Sequence, residues 1–107
     1  MIFNPNVMAA AGGGGGAVIG TYTGNGSATK QLTFDFEPAV VFLIRNGTQK
    51  FVSLILNSVG RVFLVNSSST FDGAAINGKV LTITASAYKG YFNEKNEPFV
   101  YIAIPKA

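Results

Sequence analysis

The sequence predicts an all-β fold: a single antiparallel β-sandwich, jelly-roll-like or closed into a small barrel, with about six to eight strands. Three observations lead there. Short alternating or wholly apolar runs recur at close spacing, with Gly, Asn, Pro and Ser between them. No segment carries apolar residues at helical spacing with capping residues at its ends. Hydrophobic residues make up 48% of the 107 and charged residues only 12%, which suits one folded body with a neutral surface or a surface covered by other subunits.

Residues 1–16 stand apart as an N-terminal arm, and 17–107 form the predicted domain. The arm has no charged side chain and contains the run Gly12 to Gly16. Glycine loses the most backbone freedom on ordering, so this run reads as a hinge rather than core. Outboard of it, Ile2, Phe3, Val7 and Met8 are apolar. They fit either a frayed chain end or an anchor that docks on a partner. Residues 9–16 span at most ~28 Å when extended. The arm lacks a basic stretch and a continuous apolar core, so it is expected to belong to the mature chain rather than to a signal peptide.

Ala17 to Thr23 is the first predicted strand, and Gly24-Asn25-Gly26-Ser27 turns the chain. In Gln31 to Glu37, Leu32, Phe34 and Phe36 alternate with Thr33, Asp35 and Glu37, the period of a half-buried strand. Pro38 ends it. Ala39 to Ile44 is apolar at every position, which predicts a central strand covered on both faces, by a second layer or by a neighbouring subunit. Asn46-Gly47 predicts a hairpin into Lys50 to Leu56, and Asn57 to Gly60 a turn into Arg61 to Val65. Asn66 to Thr70 reads as a polar loop. Asn77-Gly78 predicts a hairpin between Ala74–Ile76 and Lys79–Thr84. Residues 85–98 form a longer loop, and Phe99 to Ile104 the last strand.

The chain has no histidine and no cysteine, which removes the commonest general base, metal ligand and thiol nucleophile. Its carboxylates are Asp35, Glu37, Asp72, Glu94 and Glu97, and their placement reads as turn and solvated-face chemistry. The glycine run lacks the Lys-Ser/Thr ending of a phosphate loop. No enzyme, cofactor or metal site is expected. The eight basic residues are scattered, so nucleic acid is not an expected partner. The longest apolar run falls far short of the ~20 residues of a membrane helix, so membrane insertion is not expected.

The stretches Gly20-Thr21-Tyr22-Thr23-Gly24-Asn25-Gly26-Ser27, Leu32 to Phe42 through Phe36-Glu37-Pro38, and Asn93 to Ala103 resemble a small β-strand module of bacteriophage tail, fibre and other virion structural proteins. Phe99 stands where the module has a tyrosine, and Pro98 where it has a small or polar residue. The resemblance implies a virion structural protein, tail-associated at the tip, a fibre or a baseplate accessory. It implies attachment to other virion proteins, a homo-oligomer (a trimer favoured) and host surface polysaccharide as a candidate ligand. A capsid decoration or head-fibre protein, or a free carbohydrate-binding module, is the alternative. The candidate contact residues, for glycan or subunit, are Tyr22, Tyr88, Lys89, Tyr91, Phe92, Asn93 and Asn96. Aromatic rings on loops bury large area at low entropic cost, and Asn93 and Asn96 would supply amides beside them. Packing within the domain is the competing reading for each.

Overall fold

The computed structural model describes residues 16–65 and 69–107. The described residues form two antiparallel sheets packed as a sandwich, as the sequence predicts. The strands are β1 (Val18–Thr23), β2 (Thr29–Thr33), β3 (Pro38–Asn46), β4 (Lys50–Leu56), β5 (Arg61–Leu64), β6 (Thr70–Asp72), β7 (Ala74–Asn77), β8 (Val80–Thr84) and β9 (Pro98–Pro105). One sheet has six strands in the order β1-β9-β3-β4-β5-β6, and the other three in the order β2-β8-β7. The chain crosses between sheets after β1, β2, β6 and β8.

Local chemistry explains the turns. Asn77 pairs with Val80 across the two-residue connection Gly78-Lys79, and Gly78 takes the left-handed conformation at φ +59°. Asn46 pairs with Lys50 across the longer connection 47–49. Asn57 closes the β4–β5 end, its side-chain amide donating to the Pro38 carbonyl at 2.7 Å and to Glu37 at 3.1 Å.

Three expectations need correction. Thr70–Asp72 is a short strand, β6, not loop and turn. Three residues are too few for alternation to show, and the strand is held by its register with β5. The β2 ladder ends at Thr33, because the chain bends at Asp35-Phe36 to cross to the other sheet. The loop after β8 contains a 3-10 segment, η1 (Ser86–Tyr91), whose irregular spacing gives no helical period. The polar loop expected at 66–70 lies partly outside the described residues, and so do Ile2, Phe3, Val7 and Met8 of the arm.

The core lies between the sheets. Val41, Leu43, Ile55, Val62 and Ala103 from the large sheet meet Phe34, Leu81 and Ile83 from the small-sheet side, with Phe71 and Phe92 at one side. Fully burying a side chain of this size contributes about 1.5–3 kcal/mol.

The two outer faces differ. Thr29, Gln31, Thr33, Thr82, Thr84 and Asn77 dominate the outer face of the small sheet, and Gln31 donates to the Thr82 hydroxyl there. On the large sheet, Ile19, Ile102, Phe42, Leu54 and Phe63 form one registered row across five strands. Ile104, Val40 and Leu56 flank this row on one side, and Val100, Ile44 and Val52 on the other. β3 is therefore central as predicted, with its inner face under the small sheet. No other element of the described chain lies over its outer face.

Ser53 sits between Leu43 and Leu64 on the inner face, and its buried hydroxyl has no hydrogen-bond partner among the described residues. Removing an unsatisfied buried hydroxyl relieves its desolvation penalty. Ser53→Ala is expected to leave stability unchanged or raise it by up to ~1 kcal/mol. Thermal unfolding followed by circular dichroism checks this, and a loss beyond that size would show that the hydroxyl has a partner.

Candidate functional site

The loop after β8 builds the most distinctive surface. Ala85 enters η1 after its N–H has bonded the Ala28 carbonyl, and Tyr88 N–H then bonds the Ala85 carbonyl at 2.9 Å. At Tyr88 the backbone leaves helical geometry (φ −121°, ψ 15°). Its ring stacks flat on Phe71, with centroids 4.6 Å apart and planes 6° from parallel. Tyr91 meets Phe51 edge to face at 4.8 Å. Phe71, buried in the core, is the hub that also touches Tyr91 and Phe92. Offset and edge-to-face aromatic pairs contribute about 0.5–1.5 kcal/mol each beyond their area.

Tyr88 remains 42% exposed and forms a ridge between two open depressions. One, of about 440 Å³, is lined by Thr70, Phe71, Asp72 and residues 85–88. The other, of about 380 Å³, runs past Phe51, Tyr91, Gln49, Lys89 and Glu94. Arg45 fixes the floor of this second depression: its Nη1 donates to the Gly90 carbonyl and its Nε to Glu97, both at 3.2 Å. An exposed aromatic face beside amide, hydroxyl and ammonium groups suits the apolar patches and hydroxyls of a sugar ring.

The structure divides the predicted contact residues. Tyr88, Lys89 and Tyr91 share the ridge. Phe92 and Asn93 are fully buried and cannot serve as surface contacts. Asn93 is a structural amide: its Nδ2 donates to Asn25 Oδ1 (2.8 Å) and the Ser27 carbonyl (3.0 Å), and its Oδ1 accepts from Asn25 N–H (3.1 Å). Tyr22 stacks on Phe99 at 5.0 Å, donates its hydroxyl to the Phe92 carbonyl and lies under the Lys30 ammonium at 4.0 Å. Burial pushes its phenol pKa above the ordinary value. Asn96 is exposed in a turn at φ +65°, and its N–H bonds Gly24. Tyr22 is thus spent inside the body, its hydroxyl tied to the loop that carries the ridge, and Asn96 closes the Gly24 turn; neither stands on the ridge.

Phe51, Phe71 and Gln49 were missed as ridge residues. Phe71 alone among three residues carries too little pattern, and Phe51 reads as an ordinary strand residue. Among the described residues, no group of three or more His, Cys, Asp or Glu side chains could hold a metal ion. No helix there is long and apolar enough to cross a membrane.

Comparison with known proteins yields no relative: no family model, curated protein or solved structure matches the chain.

Two predictions follow from these bonds. Asn93→Ala strands the partners of its amide in a buried site and is expected to destabilise the fold by about 2–4 kcal/mol. Chemical denaturation measures it, and a change below 1 kcal/mol would contradict the role of the amide. The second concerns acid. Glu97 Oε1 accepts from the Thr48 N–H (2.9 Å) and hydroxyl (3.1 Å) and from Arg45. The Thr48 N–H, against the opposing effect of desolvation and with help from its hydroxyl and Arg45, holds the Glu97 carboxyl below the ordinary 4.5. Asn57 and then Lys106 lower Glu37 similarly. A carboxyl depressed in the folded state stabilises fully above its unfolded pKa and loses that contribution as pH falls through the folded one. The thermal midpoint should therefore fall as pH drops below 4.5, and fall less steeply in Glu97→Gln. Equal slopes in the two proteins would remove Glu97 from the account.

Proposed function

We propose that this chain is a structural component of a bacteriophage particle, tail-associated at the tip, a fibre or a baseplate accessory. The arm of residues 1–16 attaches it to other virion proteins. The Tyr88 ridge faces outward to host-surface polysaccharide.

The observation that carries this reading is the placement of the two ends of the large sheet. The chain enters at β1, on one edge, while Tyr88 stacks on Phe71 of β6, on the other. Five inter-strand steps of ~4.8 Å separate these edges, roughly 24 Å. A body held at its β1 edge thus presents the ridge away from its attachment. The turn-and-strand resemblance across residues 17–104 supports a virion setting, and the lack of histidine and cysteine agrees with a protein that works by binding.

The test has two arms. Deleting residues 1–16 should remove the chain from particles, with tail labelling lost in electron micrographs. On a surface-polysaccharide array, the full chain should bind and Tyr88→Ala should weaken binding by about tenfold or more at unchanged fold. Normal occupancy of the truncated chain ends the anchor idea. Absence of binding to any polysaccharide ends the contact role of the ridge, and capsid labelling replaces the tail placement with a decoration protein.

A further inference from the structure

We infer that the outer face of the six-stranded sheet is the contact between copies of this chain. The inference deepens the structural reading above by naming the surface through which the protein assembles.

The face is apolar where the fold does not require it. The central row Ile19–Ile102–Phe42–Leu54–Phe63 has a large hydrophobic side chain on every one of its five strands. Ile19 is 59% exposed. The same molecule shows how it finishes a sheet that faces water: the small sheet turns four threonines, Gln31 and Asn77 outward, with Val80 and Ala75 among them. A strand needs only one apolar face to pack a sandwich. The second apolar face of β3, β4 and β9 thus marks a surface meant to be covered.

The geometry favours a second copy as occupant. The three apolar rows are free of charge, so copies that share a net charge of +3 meet there without repulsion. Charges sit at the margin: Lys50 bonds Asn46 at one end, and Arg61 pairs with Asp72 at the β5–β6 corner. An apolar centre with a polar rim is the anatomy of a protein interface. The central row spans five strands and each flanking row three, eleven positions of roughly 4.8 by 7 Å, or a patch of ~370 Å². Two such faces together cover ~740 Å² in projection, and it is the relief of the large side chains standing off the sheet that carries the contact toward the ~1,000 Å² of a stable interface. A flat face of one chemistry is also self-complementary, as a two-fold contact demands. The arm is a poorer cover, since Ile2, Phe3, Val7 and Met8 are fewer than the large side chains of the central row alone.

The experiment uses the purified full chain, without particles or sugar, so its outcome is independent of the attachment and polysaccharide tests. Light scattering and sedimentation over a micromolar concentration series should give a mass of two copies. Phe42→Asp and Leu54→Lys should each weaken association by ~30-fold or more, towards the monomer, whereas Thr82→Lys on the small sheet should leave it unchanged. The chain has no cysteine, so single cysteines report cleanly should a charged variant not fold. Leu54→Cys should cross-link between copies and resist thiol reagents in the assembled form, and Thr82→Cys should react at once. A wild-type monomer overturns the inference. So does an oligomer that survives both charged variants, or a monomer that associates only after residues 1–16 are removed, since the arm would then be the cover.

Discussion

The buried amide of Asn93 is the interaction on which the arrangement of this molecule rests. It sits at the end of the sandwich where β1 leaves one sheet for β2 in the other, and where η1 leads back to β9. Its donors and acceptor grip Asn25 and the Ser27 carbonyl, while the Asn93 carbonyl accepts from Gly26 N–H at 2.8 Å. The two inter-sheet crossings are thereby tied together by one side chain. Neighbouring bonds from Gly24 N–H to Glu97 and from Asn96 N–H to Gly24 extend the tie along both segments. Space is equally tight, since a Cβ on Gly24 would lie 1.9 Å from the Glu94 carbonyl oxygen. A buried polar network of this kind stabilises only when its members are satisfied together, which makes the end of the sandwich rigid and specific. The aromatic ridge is built on that rigid end: Phe92, adjacent to Asn93, anchors the loop in the core beside Phe71.

Much of the fold was legible because sheet chemistry is local. The Asn77-Gly78 turn, the alternation through Leu32 and Phe34 and the wholly apolar run of β3 each state their structure within a few residues. What escaped depended on contacts distant in sequence. β6 is too short to announce itself and exists by pairing with β5. Asn93 looks like any loop asparagine until Asn25 and Ser27 are placed around it. The ridge was half legible: Tyr88, Lys89 and Tyr91 stand together in the sequence, but Phe51 and Phe71, which support them, come from two other strands. Tyr22 and Asn96 looked equivalent to them by residue type, but Tyr22 is held inside by Phe99 and the Phe92 carbonyl and Asn96 by the Gly24 turn.

The wholly apolar β3 was the sequence signal with the longest reach. It required cover on both faces, and one sheet can lie on only one of them. The second sheet is three strands wide against six. The polar outer surface of this smaller sheet rules out a general excess of hydrophobic residues as the reason for the apolar outer face. The small sheet is finished for solvent, and the large sheet carries the face proposed as a contact.

The proposed contact face and the ridge occupy different sides of the body, and this separation decides how they could act together. The face is the broad outer side of the large sheet. The ridge stands at the β6 edge, raised by η1 above Phe71 on the inner side of that sheet. The proposed pairing of two copies face to face would therefore leave each Tyr88 uncovered, and the assembled form would carry two ridges at a fixed spacing. On the proposed reading, a single exposed tyrosine with open depressions on either side would bind a sugar weakly. Two such ridges on one rigid assembly, meeting a repeating polysaccharide, would bind with an effective local concentration that can raise affinity by ~10²–10⁴ without any new contact. Assembly through the apolar face would in this way make a weak site sufficient, and loss of the face would cost polysaccharide affinity while leaving every ridge residue in place.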